Sequence, residues 1–156
     1  MNLQELGNIG EFVGAIATIA TLAYLAFQIR QNSRSIKAQT RAHIGTTTSE
    51  VIFRQAENLH IVRALLKIQA GEELRPEETL QLRMVATATF RHWENVYYQY
   101  RQGLYDSVEF EAQQRTWNRL VTEGWLGHFW NQLQPNFSAE LQTLVDSFPK
   151  KEAGDV

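Results

Sequence analysis

Ile9–Ile29, IGEFVGAIATIATLAYLAFQI, is a near-continuous apolar run, and Arg30, Arg34, Lys37 and Arg41 follow it at once. At ~1.5 Å rise per residue, its 21 residues reach about 31 Å as a helix, matching a hydrocarbon core of ~30 Å. The one formal charge inside the run, Glu11, lies near its end, where headgroup contact makes a carboxylate tolerable. The stretch therefore reads as a transmembrane helix. The competing reading as a cleaved signal peptide needs a basic leading region, and Met1-Asn2-Leu3-Gln4-Glu5 has none. The core helix of a soluble all-α protein is the other alternative.

Basic residues set orientation, and here they fall on one side of the span. Glu5 and Glu11 precede Arg30 with no Lys or Arg, whereas four basic residues come before the next acid, Glu50. The expectation is a topology with residues 1–8 as a short tail outside, a span over 9–29 and a cytoplasmic helical domain over 30–148. A flexible tail over 149–156 completes the division. Arg30, Arg34, Lys37 and Arg41 then act as a membrane anchor against anionic lipid, at ~1 kcal/mol per charge.

All 15 Lys and Arg, and all but two of the 17 Asp and Glu, lie after residue 29, so that portion is formally neutral. A neutral domain lacks the positive field that draws nucleic acid, so no nucleic-acid partner is expected. The absence of cysteine excludes disulfides, thiolate metal sites and a Cys nucleophile.

Within the span, steps of three and four residues pick out Gly7, Glu11, Gly14, Thr18, Thr21, Leu25, Gln28, Asn32 and Ser35. All but Leu25 are small or polar, and the 3.5-residue period is that of a left-handed helix pair or bundle. Phe12, Val13, Ile16, Ile19, Leu22, Tyr24 and Phe27 occupy the other faces and suit lipid. Helices in a bilayer gain little by hiding Leu from lipid; small residues admit close backbones and Thr or Gln bond across. Glu11, Gly14, Thr18, Thr21 and Gln28 are thus a candidate packing face toward a second copy or a partner subunit. The bland account is that each Thr bonds back to its own helix carbonyls.

From Asn32 to Ala70 there is no proline and only Gly45, so the span is expected to run on as helix to Gly71, with an adjustment near Asn32-Ser33. Ile36, Ile44, Val51, Ile52, Leu59, Val62 and Leu66 form its apolar seam, with Ile52, Leu59 and Leu66 at heptad spacing as further helix-packing candidates. Pro76-Glu77-Glu78 opens a second helix to about Gln102, with Leu80, Met84, Ala88, Phe90, Trp93, Val96, Tyr97 and Tyr100 on its buried face. Asp106 and Glu109 read as a capping box for a third helix through about Thr122, with Phe110, Trp117, Leu120 and Val121 inward. An aromatic segment, Gly124–Trp130, a turn at Pro135 and a short helix capped by Ser138 and running to about Phe148 complete an all-α antiparallel bundle.

GEFVGAIATIATLAYLAFQIRQNSRSIKAQT, then FRHWENVYYQYRQGLYD, then a Trp-rich stretch and NFSAELQTLVD, resemble a widespread uncharacterised bacterial family of single-span membrane proteins. In that family an N-terminal span ends in a QIRQN-like sequence, here Gln28-Ile29-Arg30-Gln31-Asn32, and a helical cytoplasmic region follows. The resemblance covers nearly the whole chain. It implies a bacterial cytoplasmic membrane and carries no activity.

Chemistry-bearing patterns are sparse. Glu57-Asn58-Leu59-His60 has the E-x-x-H spacing of carboxylate-bridged metal bundles, but those need a second copy, which this chain lacks. No metal site and no cofactor are expected, and no phosphate loop, dinucleotide fingerprint or nucleophile elbow is present. In the segment 90–101, Arg91, Trp93, Glu94, Tyr98 and Arg101 are candidate ligand residues, with guanidiniums for an anion and aromatic faces for stacking. Core packing and inter-helix hydrogen bonds explain the same residues more simply. The expected function is a non-enzymatic membrane protein assembling through its helices, as a homo-oligomer or as an accessory subunit of a membrane complex. A homo-oligomeric channel along the Glu11/Thr18/Thr21 face, with Leu25 as constriction, and a ligand-sensing helical domain are the alternatives.

Overall fold

The computed structural model describes residues 2–149, and every regular element among them is helical. In chain order these are α1 (Leu3–Glu57), α2 (Leu59–Ala70), α3 (Pro76–Arg101), α4 (Ser107–Thr122), α5 (Gly127–Leu133), a 3-10 turn (Gln134–Asn136) and α6 (Ala139–Asp146). The chain divides into two units, one ending at Gln39 and the other beginning at Thr40. Helix α1 supplies the described structure of the first unit and the first element of the second. The predicted flexible tail lies outside the described residues except for Pro149.

In the first unit α1 begins at Leu3, so most of the expected tail over 1–8 is helical, and it continues without interruption through Asn32-Ser33. Its apolar window is long and apolar enough to cross a membrane, and none of that window is buried.

In the second unit α1 turns Ile44 inward to nearly complete burial, with Thr40, Thr47, Thr48 and Val51 half-buried along the same side. The long helix expected to reach Ala70 instead breaks at Asn58. There the backbone is extended (φ −89°, ψ 97°), and the side-chain carbonyl accepts from the N–H groups of His60 (3.1 Å) and Ile61 (3.4 Å). Asparagine competes with helix by bonding nearby backbone groups, and at Asn58 it starts a new helix instead of extending the old one. Helix α2 ends where anticipated. Gly71 takes φ +71° and donates to the Ile68 carbonyl while Glu72 donates to Lys67, the paired closure that a left-handed residue permits.

Glu78 locks the α2–α3 corner. Its carboxylate, almost wholly buried, accepts from the Arg75 backbone N–H (2.9 Å), from Lys67 Nζ (2.9 Å to each oxygen) and from the Arg75 guanidinium (3.0 Å). The backbone donor, then Lys67 and Arg75, hold the carboxyl at about 2, below its ordinary 4.5. A carboxylate whose folded pKa is depressed contributes stability above its unfolded pKa and loses it as pH falls through the folded value. Glu78→Gln is therefore expected to lower the unfolding temperature at pH 7, and to flatten the loss of stability between pH 4.5 and about 2. Thermal melts of both proteins across that range check this; parallel pH profiles would remove Glu78 from the acid response.

The buried face of α3 differs in register from the expectation in its first half. Leu82, Ala86, Thr89, Phe90, Trp93 and Val96 are buried, whereas Leu80, Met84 and Ala88 are exposed. At ~100° per residue, Leu80, Met84 and Ala88 lie on the side opposite Trp93 and Tyr100, so one straight helix cannot bury both sets. Helix α4 opens on Asp106, whose side chain accepts from Val108 (2.9 Å) and Glu109 (3.4 Å). The Glu109 half of the expected capping box is replaced by an ion pair to Arg41 of α1. Gly124 and Gly127 are required by proximity: a Cβ on either would collide with the backbone carbonyl of Leu120 or Val121. The α4–α5 connection thus folds tightly back, leaving Trp125 half-buried against the core.

Aromatic rings fill the centre. Phe90 meets Trp93 edge-on at 5.1 Å and Trp130 at 4.7 Å, and Trp93 stacks on Trp117 at 4.8 Å. The Trp130 indole N–H donates to Asp146 Oδ1 at 2.9 Å, so this ring enters the core without an unpaired donor. Ser138 does not cap α6 with its side chain, and α6 stops at Asp146, short of Phe148.

Candidate functional site

Glu11, Gly14, Thr18, Thr21 and Gln28, the candidate packing face of α1, are all exposed. Thr18 Oγ1 donates to the Gly14 carbonyl at 2.9 Å, Thr21 Oγ1 donates to Ala17 at 2.8 Å, and Gln28 Nε2 donates to the Tyr24 hydroxyl at 2.8 Å. Each Thr proton is thereby satisfied within its own helix, as the bland account has it, while the hydroxyl lone pairs stay open to a neighbouring helix. Phe12, Ile16, Ile19, Leu22 and Phe27 are exposed as well. An apolar surface of this extent in water would be an aggregation site. The arrangement is consistent with membrane anchoring.

Arg30, Arg34 and Lys37 project from α1 in the first unit, all exposed. Arg41, in the second, donates to Glu109 of α4, and that carboxylate raises the Arg41 pKa through its hydrogen bond first and its charge second. Arg41 thus has a bundle partner as well as a place in the basic row. Of the expected heptad seam, Ile52 lies on α1, and Leu59 and Leu66 lie on α2 beyond the Asn58 break. They are 59%, 63% and 57% exposed, so none contributes to the core of this chain.

The candidate ligand residues separate into two groups. Trp93, 3% exposed, faces the core. Arg91, Glu94, Tyr98 and Arg101 line an open groove of about 380 Å³ with Asn95, Tyr97 and Ser138. Both guanidiniums in it are engaged. Arg91 donates to Glu94 (2.6 Å) and to the Asn136 carbonyl (2.7 Å) and lies over the Phe137 ring at 4.5 Å. Arg101 donates to Glu140 (2.8 Å) and sits 5.3 Å from the Tyr97 ring. Burial opposes the charge on Glu94, but the Ser138 backbone N–H at 2.7 Å, together with Arg91, brings its carboxyl below the ordinary value. Pairing with Arg101 lowers the Glu140 carboxyl too. Chemically this is a polar clasp holding the segment 136–140 onto α3; an anion entering the groove has to displace Glu94 or Glu140.

Asn136, Ser138 and Glu140 carried no signal in the sequence as partners of Arg91, Glu94 and Arg101, lying some forty residues away along the chain. A second unanticipated contact joins α1 to α3, where Thr48 Oγ1 and His92 Nε2 lie 2.9 Å apart. Burial, then the neighbouring His43, pushes the His92 pKa down. Glu57 and His60 are exposed on either side of the α1–α2 break, and among the described residues no three His, Asp or Glu side chains gather to hold a metal.

Comparisons with protein families, with curated proteins and with solved structures gave no match to this chain. What fold and surface define together is an all-α protein consisting of a packed helical bundle and one long apolar helix consistent with membrane anchoring.

Proposed function

We propose that this chain is a non-enzymatic, single-pass protein of a bacterial inner membrane, in the family its sequence resembles, that assembles laterally through α1. It serves as a homo-oligomeric scaffold or as an accessory subunit of a membrane complex. The N-terminus lies outside, and the helical bundle lies in the cytoplasm with Arg30, Arg34 and Lys37 at the inner headgroups. The observation that carries the reading is an unburied apolar helix with small and polar residues gathered on one face, since such faces pack against other helices in lipid. Engagement of Arg91 and Arg101 within the bundle favours assembly over ligand sensing.

The test is the native mass of the full-length protein in mild detergent. One discrete oligomer, or a larger particle with other polypeptides, is expected. Gly14→Leu with Thr18→Leu is expected to reduce that mass while the chain stays in the membrane fraction, because Leu at both positions holds the backbones apart. A monomeric wild type, or an unchanged mass in the double variant, overturns the reading.

A further inference from the structure

From the last turn of the apolar run onward, α1 carries two rows of the same spacing. Arg30, Arg34 and Lys37 follow the i, i+4, i+7 pattern, and Gln28, Asn32 and Ser35 repeat it two residues earlier, extended by Gln39 at i+11. At ~100° per residue, a two-residue offset places the rows on opposite sides of the helix. One side is wholly basic and the other wholly neutral, and both are exposed. The neutral row continues the line of Gly14 and Thr21 at seven-residue steps. Gln39 Nε2 donates to Ser35 Oγ at 3.2 Å, Gln28 turns to Tyr24, and the Asn32 carboxamide has no side-chain partner among the described residues.

The chemistry of the two rows differs in what can meet it. A carboxamide carries donors and an acceptor, and a hydroxyl is both, so each group in the neutral row can satisfy a copy of itself. Guanidinium and ammonium groups only donate and repel their own kind. Insertion in one orientation makes two copies parallel and sets identical residues at equal depth. Across a two-fold axis, Gln28, Asn32, Ser35 and Gln39 then meet their counterparts, while Arg30, Arg34 and Lys37 point away toward lipid phosphates.

We infer that the row Gln28-Asn32-Ser35-Gln39 is a self-complementary interface for a second copy of this chain. Its charge segregation fixes the rotation at which the two helices meet. A buried carboxamide at such a position also sets register in parallel helix pairs. The inference rests on the lateral-assembly reading and specifies its partner and face.

The protein contains no cysteine, so single substitutions report without background. Asn32→Cys and Ser35→Cys are compared with Arg34→Cys and Lys37→Cys in native membrane vesicles under a mild oxidant. A disulfide needs Cβ atoms ~3.5–4.5 Å apart, a distance unavailable between the outward sides of a helix pair whose axes lie 8–10 Å apart. The expected result is a covalent dimer at twice the 18.0 kDa chain mass from the neutral row, and only background from the basic row. Dimer from the basic row, equal yields from both rows, or no dimer from the neutral row overturns the inference. If the native mass is nonetheless oligomeric, lateral assembly stands and only this face falls; a monomeric native mass removes both.

Discussion

Phe90→Ala is expected to destabilise the unit beginning at Thr40 by about 3–5 kcal/mol, the usual cost of truncating a buried phenylalanine. Phe90 is fully buried and touches Trp93, Trp130 and Phe137, so its ring joins α3 to α5 and to the turn before α6. Three large rings around one cavity collapse poorly, which places the loss toward the upper end of that range. Single domains are stable by ~5–15 kcal/mol, so the variant approaches the unfolding threshold. Its unfolding temperature is expected to fall by roughly 10–20 °C. Denaturant unfolding in detergent, followed by tryptophan fluorescence, measures the difference. Met84→Ala, on the exposed side of the same helix, is expected to change stability by less than about 0.5 kcal/mol. Comparable losses in the two variants would show that the buried side of α3 is not the one carrying Phe90.

That pair of substitutions also marks what the sequence could and could not specify. The helices themselves were legible because their ends are written locally: Pro76 and the acids after it, Asp106 before Val108 and Glu109, and Gly71 and Gly103 where φ must turn positive. Phe90, Trp93 and Val96 are legible as core because large apolar side chains repeat there at helical spacing. Leu80, Met84 and Ala88 recur in steps of four, which drift around a helix of 3.6 residues per turn and leave the buried side. Ala86 and Thr89, one small and one polar, carry no strong core signal in the sequence although packing places them inside. By pattern alone Asn58 is one more residue of a long helix; its capping role depends on a backbone turn that the sequence over 32–70 does not announce.

The clasp on α3 was half legible. Arg91, Glu94, Tyr98 and Arg101 stood out by density and do share a groove, but what occupies the guanidiniums comes from the far end of the chain. Trp93 belongs to the same cluster in sequence and to the core in space, because one position along a helix turns a side chain by more than a quarter turn. Thr48 and His92 likewise became neighbours only through the packing of α1 on α3.

Ile16→Asp together with Ile19→Asp is expected to abolish membrane insertion. Near the centre of a span an aspartate costs about 2.5–3.5 kcal/mol, so the pair costs roughly 5–7 kcal/mol. Seven large apolar residues would remain: Ile9, Phe12, Val13, Leu22, Leu25, Phe27 and Ile29. At ~0.3–0.6 kcal/mol each they return about 2–4 kcal/mol, and less for those near the ends, so the balance turns against insertion. Flotation of membranes through a density gradient reads the outcome, since lipid-embedded chains rise and aggregates sink. The wild type and the Ile16→Leu/Ile19→Leu control are expected to float, and the aspartate pair is expected to stay at the bottom or in the soluble load. Both positions are exposed, and neither is a residue of the packed core. In water the same substitutions would therefore cost almost nothing and would improve solubility. An aspartate variant that floats as the wild type does would mean that something other than α1 holds the chain to lipid. A wild type that fails to float would return the apolar helix to a partner protein.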